Sequence, residues 1–203
     1  MQILVRLGES PESYIREKLH TGVKAPPCCP NCQNSHKLRA LGYYERGIAS
    51  TGNPAYLRFL VRRFRCMNCR RTTSVLPDFS QPYRLISNEI IGSHFRGGLA
   101  AVPQQWSLLL NRYWNRFTDW LPLLASKVRD DFRLEMPADA PESSWICIEG
   151  ALGEIGSATQ KLTKRSGMTL FGAYLCHQPH RSKERIMSIH TTVLLRTGKD
   201  PPK

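Results

Sequence analysis

Two Cys-x-x-Cys pairs, Cys29-Pro30-Asn31-Cys32 and Cys66-Met67-Asn68-Cys69, constrain this chain more than any other feature. Each pair sets two thiols on one side of a tight knuckle, and two knuckles together supply four soft ligands for a closed tetrahedral Zn²⁺ site. The 33 residues from Gln33 to Arg65 are too many for a minimal finger and enough for a small sheet, so metal binding would close a long loop. One pair alone would equally suit a redox motif, but neither is flanked by the βαβ pattern of a thioredoxin-like fold. Four free or disulfide-paired cysteines are the alternative. Cys28 stands beside Cys29; the two-residue spacing to Cys32 selects Cys29 as the ligand and leaves Cys28 a spectator.

Thiols bind metal only where they stay reduced. The first residues, Met1 to Leu7, form a short apolar run followed by Gly8-Glu9-Ser10-Pro11, which does not read as a secretory signal. The seven cysteines do not pair evenly. A reducing, cytoplasmic setting is therefore expected, nucleoid-associated if the chain binds DNA. Arg112, Arg116 and Asp119 interrupt the apolar region from Trp106 to Ala125, so no membrane helix is expected and the protein should be soluble.

The formal net charge is +13. Residues 1–83 carry 13 Lys/Arg against 5 Asp/Glu, residues 84–136 carry 7 against 5, and residues 137–203 carry 9 against 6. The excess belongs to the cysteine region and favours a phosphate-backbone partner, DNA first. A merely solvated surface is the bland reading of the same charge.

The pattern along the chain predicts an α+β fold: a zinc-ribbon-like β module over 1–83, a helical region over 84–136, and a linker, helix and partly disordered tail over 137–203. A strand over Gln2 to Leu7 precedes a helix opened by Ser10 and Pro11. A hairpin follows, Leu38 to Tyr44 and Tyr56 to Phe64, with a turn through Gly47 to Pro54. Thr72 to Val75 adds a short strand. Arg58, Arg62, Arg63 and Arg65 are interleaved with Phe59 and Phe64, an arrangement that can send guanidinium groups and rings to different faces; Arg70 and Arg71 extend the stripe. Ser87 should cap a helix ending at Gly97-Gly98. A second helix from Pro103 repeats apolar residues every three or four positions from Trp106 to Leu121, with Pro122 expected to kink or break it. Arg112 and Arg116 would lie on its exposed side, as in a degenerate helix-turn-helix, although so aromatic a helix is more often core.

Trp145, Ile148, Leu152, Ile155, Thr159 and Leu162 step by 3, 4, 3, 4 and 3, an a/d seam suited to helix pairing within the fold or in a homodimer. Gly150, Gly153 and Gly156 weaken that helix or mark close packing. Cys176, His177 and His180 crowd one short stretch and lack a fourth partner, so a second metal site is not expected there.

Leu41-Gly42-Tyr43-Tyr44-Glu45-Arg46, Arg62-Arg63-Phe64-Arg65-Cys66 and Thr72 to Phe79, taken with Cys29-Pro30-Asn31-Cys32, resemble a bacterial zinc-binding domain of unknown function. That family is ribbon-like, is related to the N-terminal zinc modules of transposases, and often precedes a helix-turn-helix; the resemblance covers about residues 1–95. It implies that Cys29, Cys32, Cys66 and Cys69 hold one structural Zn²⁺ and that the chain binds DNA in a mobile-element setting.

The acids Asp119, Asp130, Asp131, Glu135 and Glu149 are poor candidates for the clustered carboxylates of metal-dependent strand transfer. A non-enzymatic, transposon-associated DNA-binding protein is therefore expected, either a regulator or a truncated transposase-like product. The rivals are a zinc-dependent protein-interaction module and an accessory subunit of a catalytic transposase.

Overall fold

The computed structural model describes residues 1–7, 10–35, 38–51, 56–97 and 104–172. Four strands form one sheet in the order β1-β4-β3-β2: β1 Gln2–Val5, β2 Leu38–Ala49, β3 Tyr56–Cys66 and β4 Thr72–Pro77. β2 and β3 are antiparallel from Leu38↔Cys66 to Ala49↔Tyr56, so the hairpin is longer than its sequence pattern predicts. β2 passes through Gly47, where the sequence places the turn, because its partner strand continues opposite it. β4 pairs antiparallel with β3 over Arg62–Arg65, and β1 pairs parallel with β4. The register of β2 slips between Ala40 and Gly42, and Gly42 has φ 118°, a conformation that only glycine adopts cheaply at such a bulge.

Both sides of this sheet are used, each along part of its length. Leu57, Phe59 and Val61 join Ile48, Leu4, Leu76 and Tyr14 in one cluster, while Phe64 joins Val23 and Val75 in another. Alternation along β3 puts Phe59 and Phe64 on opposite faces. The expected division of rings to one face and guanidinium groups to the other is therefore not what forms: Arg58 and Arg62 alternate to one face, Arg63 and Arg65 to the other. Helix α1, Pro11–Arg16, is capped by the Ser10 side chain, which accepts from Ser13 N. Its Tyr14 packs edge-on to Phe59 and Phe79 and donates from its hydroxyl to Leu60 O at 3.0 Å. Burial pushes the Tyr14 pKa up to about 12.

The largest core lies in the helices. Helix α2, Asn88–Phe95, is capped by Ser87, and α3 runs from Gln104 to Phe132. Leu110, Tyr113, Phe117, Leu121, Leu124 and Val128 form the buried stripe of α3. That stripe carries the helix across Pro122 without a break: Leu121 and Leu124, on either side of it, are both fully buried, and their packing offsets the lost backbone hydrogen bond.

The seam over 145–162 does not form one helix. Helix α4, Pro141–Leu152, and helix α5, Ile155–Ser166, are separated at Gly153, whose φ is 86°. All six seam residues are buried, in the core shared with α2 and α3 or against the sheet module, and are turned away from solvent. Helix α5 also braces the sheet. Gln81 donates from Nε2 to Thr159 Oγ1 at 2.8 Å, and Gln160 donates to Leu4 O at 3.4 Å. Arg46 of β2 is buried and donates to the carbonyls of Gln81 and Arg84, fixing the hairpin to the segment that leads into α2.

Gly156 sits where a Cβ would lie 2.5 Å from Asp78 O and 3.0 Å from Asn88 Nδ2. Gly156→Ala should therefore cost about 1–3 kcal/mol through forced separation of α5 from the sheet module. Gly150→Ala, with nothing within 4 Å of the new methyl on an exposed helix position, should stabilise by about 0.5–1 kcal/mol. Urea denaturation of the two variants checks both signs.

Candidate metal centre

The two knuckles have the same local build. Cys29 N donates to Asn34 O at 3.0 Å and Cys66 N donates to Arg71 O at 2.9 Å, so each knuckle closes between its first cysteine and the residue five positions on. The residue after each second cysteine is left-handed: Gln33 at φ 58° and Arg70 at φ 62°. Neither is glycine, so both carry some strain.

The hairpin brings the knuckles together. The first knuckle leads into β2 and the second leaves β3, and Leu38↔Cys66 is the first pair of the β2/β3 ladder. All four Sγ atoms lie within 4.8 Å of one another, with Cys29 to Cys69 and Cys32 to Cys66 each 3.6 Å apart. Tetrahedral bonds of about 2.3 Å to zinc put sulfurs about 3.8 Å apart. A disulfide needs about 2.05 Å, and the cysteines are free. Among the described residues this is the one group of Cys, His, Asp and Glu placed to share a metal ion. It can hold one ion and is compatible with zinc. Cys28 lies outside the four, its Sγ 3.6 Å from Gln33 Oε1, as the spacing predicts.

Hydrogen bonds prepare the thiols unequally. Cys32 is drawn down to about 6 because the Asn34 N–H and the Asn68 side chain donate toward it, the latter at 3.6 Å. Burial pushes Cys29 up to about 12 against N–H donors from Cys32 and Asn31. Four thiol donors complete a tetrahedral shell and leave no position for a substrate, so an ion here would serve as a staple.

The arginines fall into separate groups. Arg39 and Arg65 face each other directly across β2 and β3, both exposed, and Arg70 and Arg71 project from the adjoining knuckle. None of these four makes a salt bridge among the described residues. Arg39 was not singled out by the sequence pattern; only the register opposite Arg65 identifies it. Arg63 leans over the Tyr44 ring at 5.7 Å. Arg58 pairs with Glu45 at 3.1 Å, and Arg62 donates to the Tyr43 hydroxyl with its guanidinium 4.5 Å from that ring's centre. Arg112 and Arg116 are exposed on α3, and Arg116 Nε donates to Phe171 O at 2.7 Å. They do not join the cysteine end: α3 meets the opposite end of the hairpin, where Trp106 stacks on Tyr56. Roughly 35 Å of strand separates the two ends. Cys176, His177 and His180 lie outside the described residues.

A domain of unknown function, DUF6431, is found at residues 29–112. The matched stretch starts at Cys29 and takes in both knuckles, the hairpin, β4, α2 and the first part of α3. No curated protein and no solved structure matches the chain. No helix among the described residues is long and apolar enough to cross a membrane.

Cys66→Ser should abolish stoichiometric metal binding and lower the melting temperature steeply, because the binding energy of a four-thiolate site is folding energy. Cys28→Ser should change neither. Metal content by elemental analysis, with thermal melts of both variants, tests the assignment; an unchanged melt and metal content in Cys66→Ser would remove Cys66 from the site.

Proposed function

We propose that this chain is a nucleic-acid-binding protein, with DNA the first candidate, in which a structural Zn²⁺ on Cys29, Cys32, Cys66 and Cys69 holds a zinc-ribbon-like module. Its arginine-rich end contacts the phosphate backbone. The observation that carries this reading is the facing pair Arg39 and Arg65, exposed on neighbouring strands with Arg70 and Arg71 beside them and, among the described residues, no carboxylate bridging any of the four. Like charges directly opposite each other on a sheet are destabilising, and the cost is removed when phosphates lie between them. Arg70 adds to this, since it keeps a guanidinium at a left-handed position where glycine would relax the backbone.

The resemblance to zinc modules that accompany transposases supports a transposon-associated setting. A binding role fits better than strand transfer: Asp119, Asp130 and Asp131 lie on α3, and Glu149 pairs with Arg96 at 2.5 Å on α4. Arg112 and Arg116 form a second, separate group of candidates, within reach only of a nucleic acid that spans the hairpin's length.

Four phosphate contacts predict that log Kd for duplex DNA rises with log salt at a slope of about 3–4. Replacing Arg39, Arg65 and Arg71 together by alanine should flatten that slope by about 3 without loss of the fold. Arg70→Gly should keep or slightly raise the melting temperature while weakening DNA binding. Fluorescence anisotropy across a salt series, with melts of each variant, measures both. Affinity indifferent to salt and to these arginines would contradict the phosphate reading and favour a protein partner.

A further inference from the structure

The hairpin face opposite Arg63 and Arg65 is open to solvent beyond the cysteine end, and what it exposes is mainly rings and guanidinium groups. The register pairs Tyr43 with Arg62, Glu45 with Leu60, Gly47 with Arg58 and Ala49 with Tyr56, so all eight positions belong to one face, covered only at Ala49, which is buried against the helical core. Tyr43 is 39% exposed, Leu60 38% and Tyr56 44%, large values for apolar surface on a sheet. On the reverse face Tyr44, Arg46, Ile48, Leu57, Phe59 and Val61 are buried or half-buried. The open face is thus not the core side of the hairpin.

The rings on it are held in place. The Tyr56 side chain lies across β2 above Gly47, so close that a Cβ on Gly47 would meet its hydroxyl at 1.6 Å. The Trp106 ring is parallel to Tyr56 within 5°, with centroids 6.2 Å apart. At the other end Tyr43 carries the Arg62 guanidinium over one face and meets the His20 ring edge-on at 5.2 Å. Tyr43 and Tyr56 stand six register steps apart, roughly 20 Å along the strands. Between them Arg58 shares its charge with Glu45, and Leu60 supplies apolar surface.

We propose that this face is a stacking platform for single-stranded nucleic acid, with unpaired bases lying on Tyr43 and on the Tyr56–Trp106 pair and with Arg58 and Arg62 beside the backbone. This rests on the phosphate-binding reading above and extends it from charge to strand state. Duplex DNA buries its base faces in its own stack and offers them to no ring, whereas a single strand presents a π face at every nucleotide. Rigid exposed tyrosines flanked by guanidinium groups fit the single strand. A protein partner would more often meet this surface with acidic side chains and would gain nothing from unpaired bases.

The test compares a labelled oligothymidylate with a duplex of equal length on the full chain at fixed salt. Tyr43→Ala and Tyr56→Ala should each weaken single-strand binding by about tenfold, the loss of one stacked base, and leave duplex binding nearly unchanged. Gly47→Val supplies an independent variant: it leaves every aromatic residue in place but drives the Tyr56 ring off the strand, and it should lower single-strand affinity with little change in melting temperature. If these three variants bind the single strand as the parent does while the Arg39, Arg65 and Arg71 variant loses affinity for both ligands, the platform is wrong and the phosphate reading stands. If the parent protein binds neither ligand, the phosphate reading fails and the platform with it. Preference for duplex over single strand in the parent would also overturn the platform.

Discussion

The convergence of four thiols at the mouth of the β2–β3 hairpin is the constraint on which the rest of the structure depends. Chain segments far apart in sequence, residues 29–34 and 66–71, are brought to one point, and each presents its sulfurs through the same backbone closure. Without a common ligand, four thiols at this spacing gain only weak hydrogen bonds, and burial of Cys29 opposes its ionisation. A metal ion of zinc's size and softness would reverse that balance.

From that point the hairpin works as a rigid spar. Its near end carries Arg39, Arg65, Arg70 and Arg71, and its far end is clamped by the helical layer through Tyr56 on Trp106 and through buried Arg46 on the Gln81–Arg84 segment. Helix α5 joins the two halves a second time, through Gln81, Gln160 and the close approach at Gly156. The sheet module and the helices therefore share contacts along much of their length. The helical core stiffens the spar and, on the reading advanced here, contributes little directly to binding.

Much of this was legible in the sequence where chemistry or periodicity is local. The Cys-x-x-Cys spacing identified the four cysteines and set Cys28 aside, Ser10 and Ser87 marked their helix starts, and the three- and four-residue steps of α3 located its buried stripe. What escaped depends on contacts across the chain. The seam over 145–162 looked continuous because Gly153 falls between two helices whose buried faces happen to keep step; the positive φ that breaks them leaves no periodic trace. Gly47 read as a turn residue, yet it lies within β2 and makes room for Tyr56. Arg39 had no distinguishing neighbour in sequence, and its place opposite Arg65 is fixed only by register. The arginine stripe of β3 also split between two faces, since strand alternation separates Arg62 from Arg63 however close they are in sequence.

The central claim is that the metal ion organises the surface that binds nucleic acid. The most direct measurement is a Zn²⁺ titration of the metal-free protein in which DNA affinity is followed at each addition. Affinity should appear in proportion to metal and level off at one equivalent, together with the folded-state signal. DNA binding of equal strength before any zinc is added, or metal uptake that leaves affinity unchanged, would contradict the account.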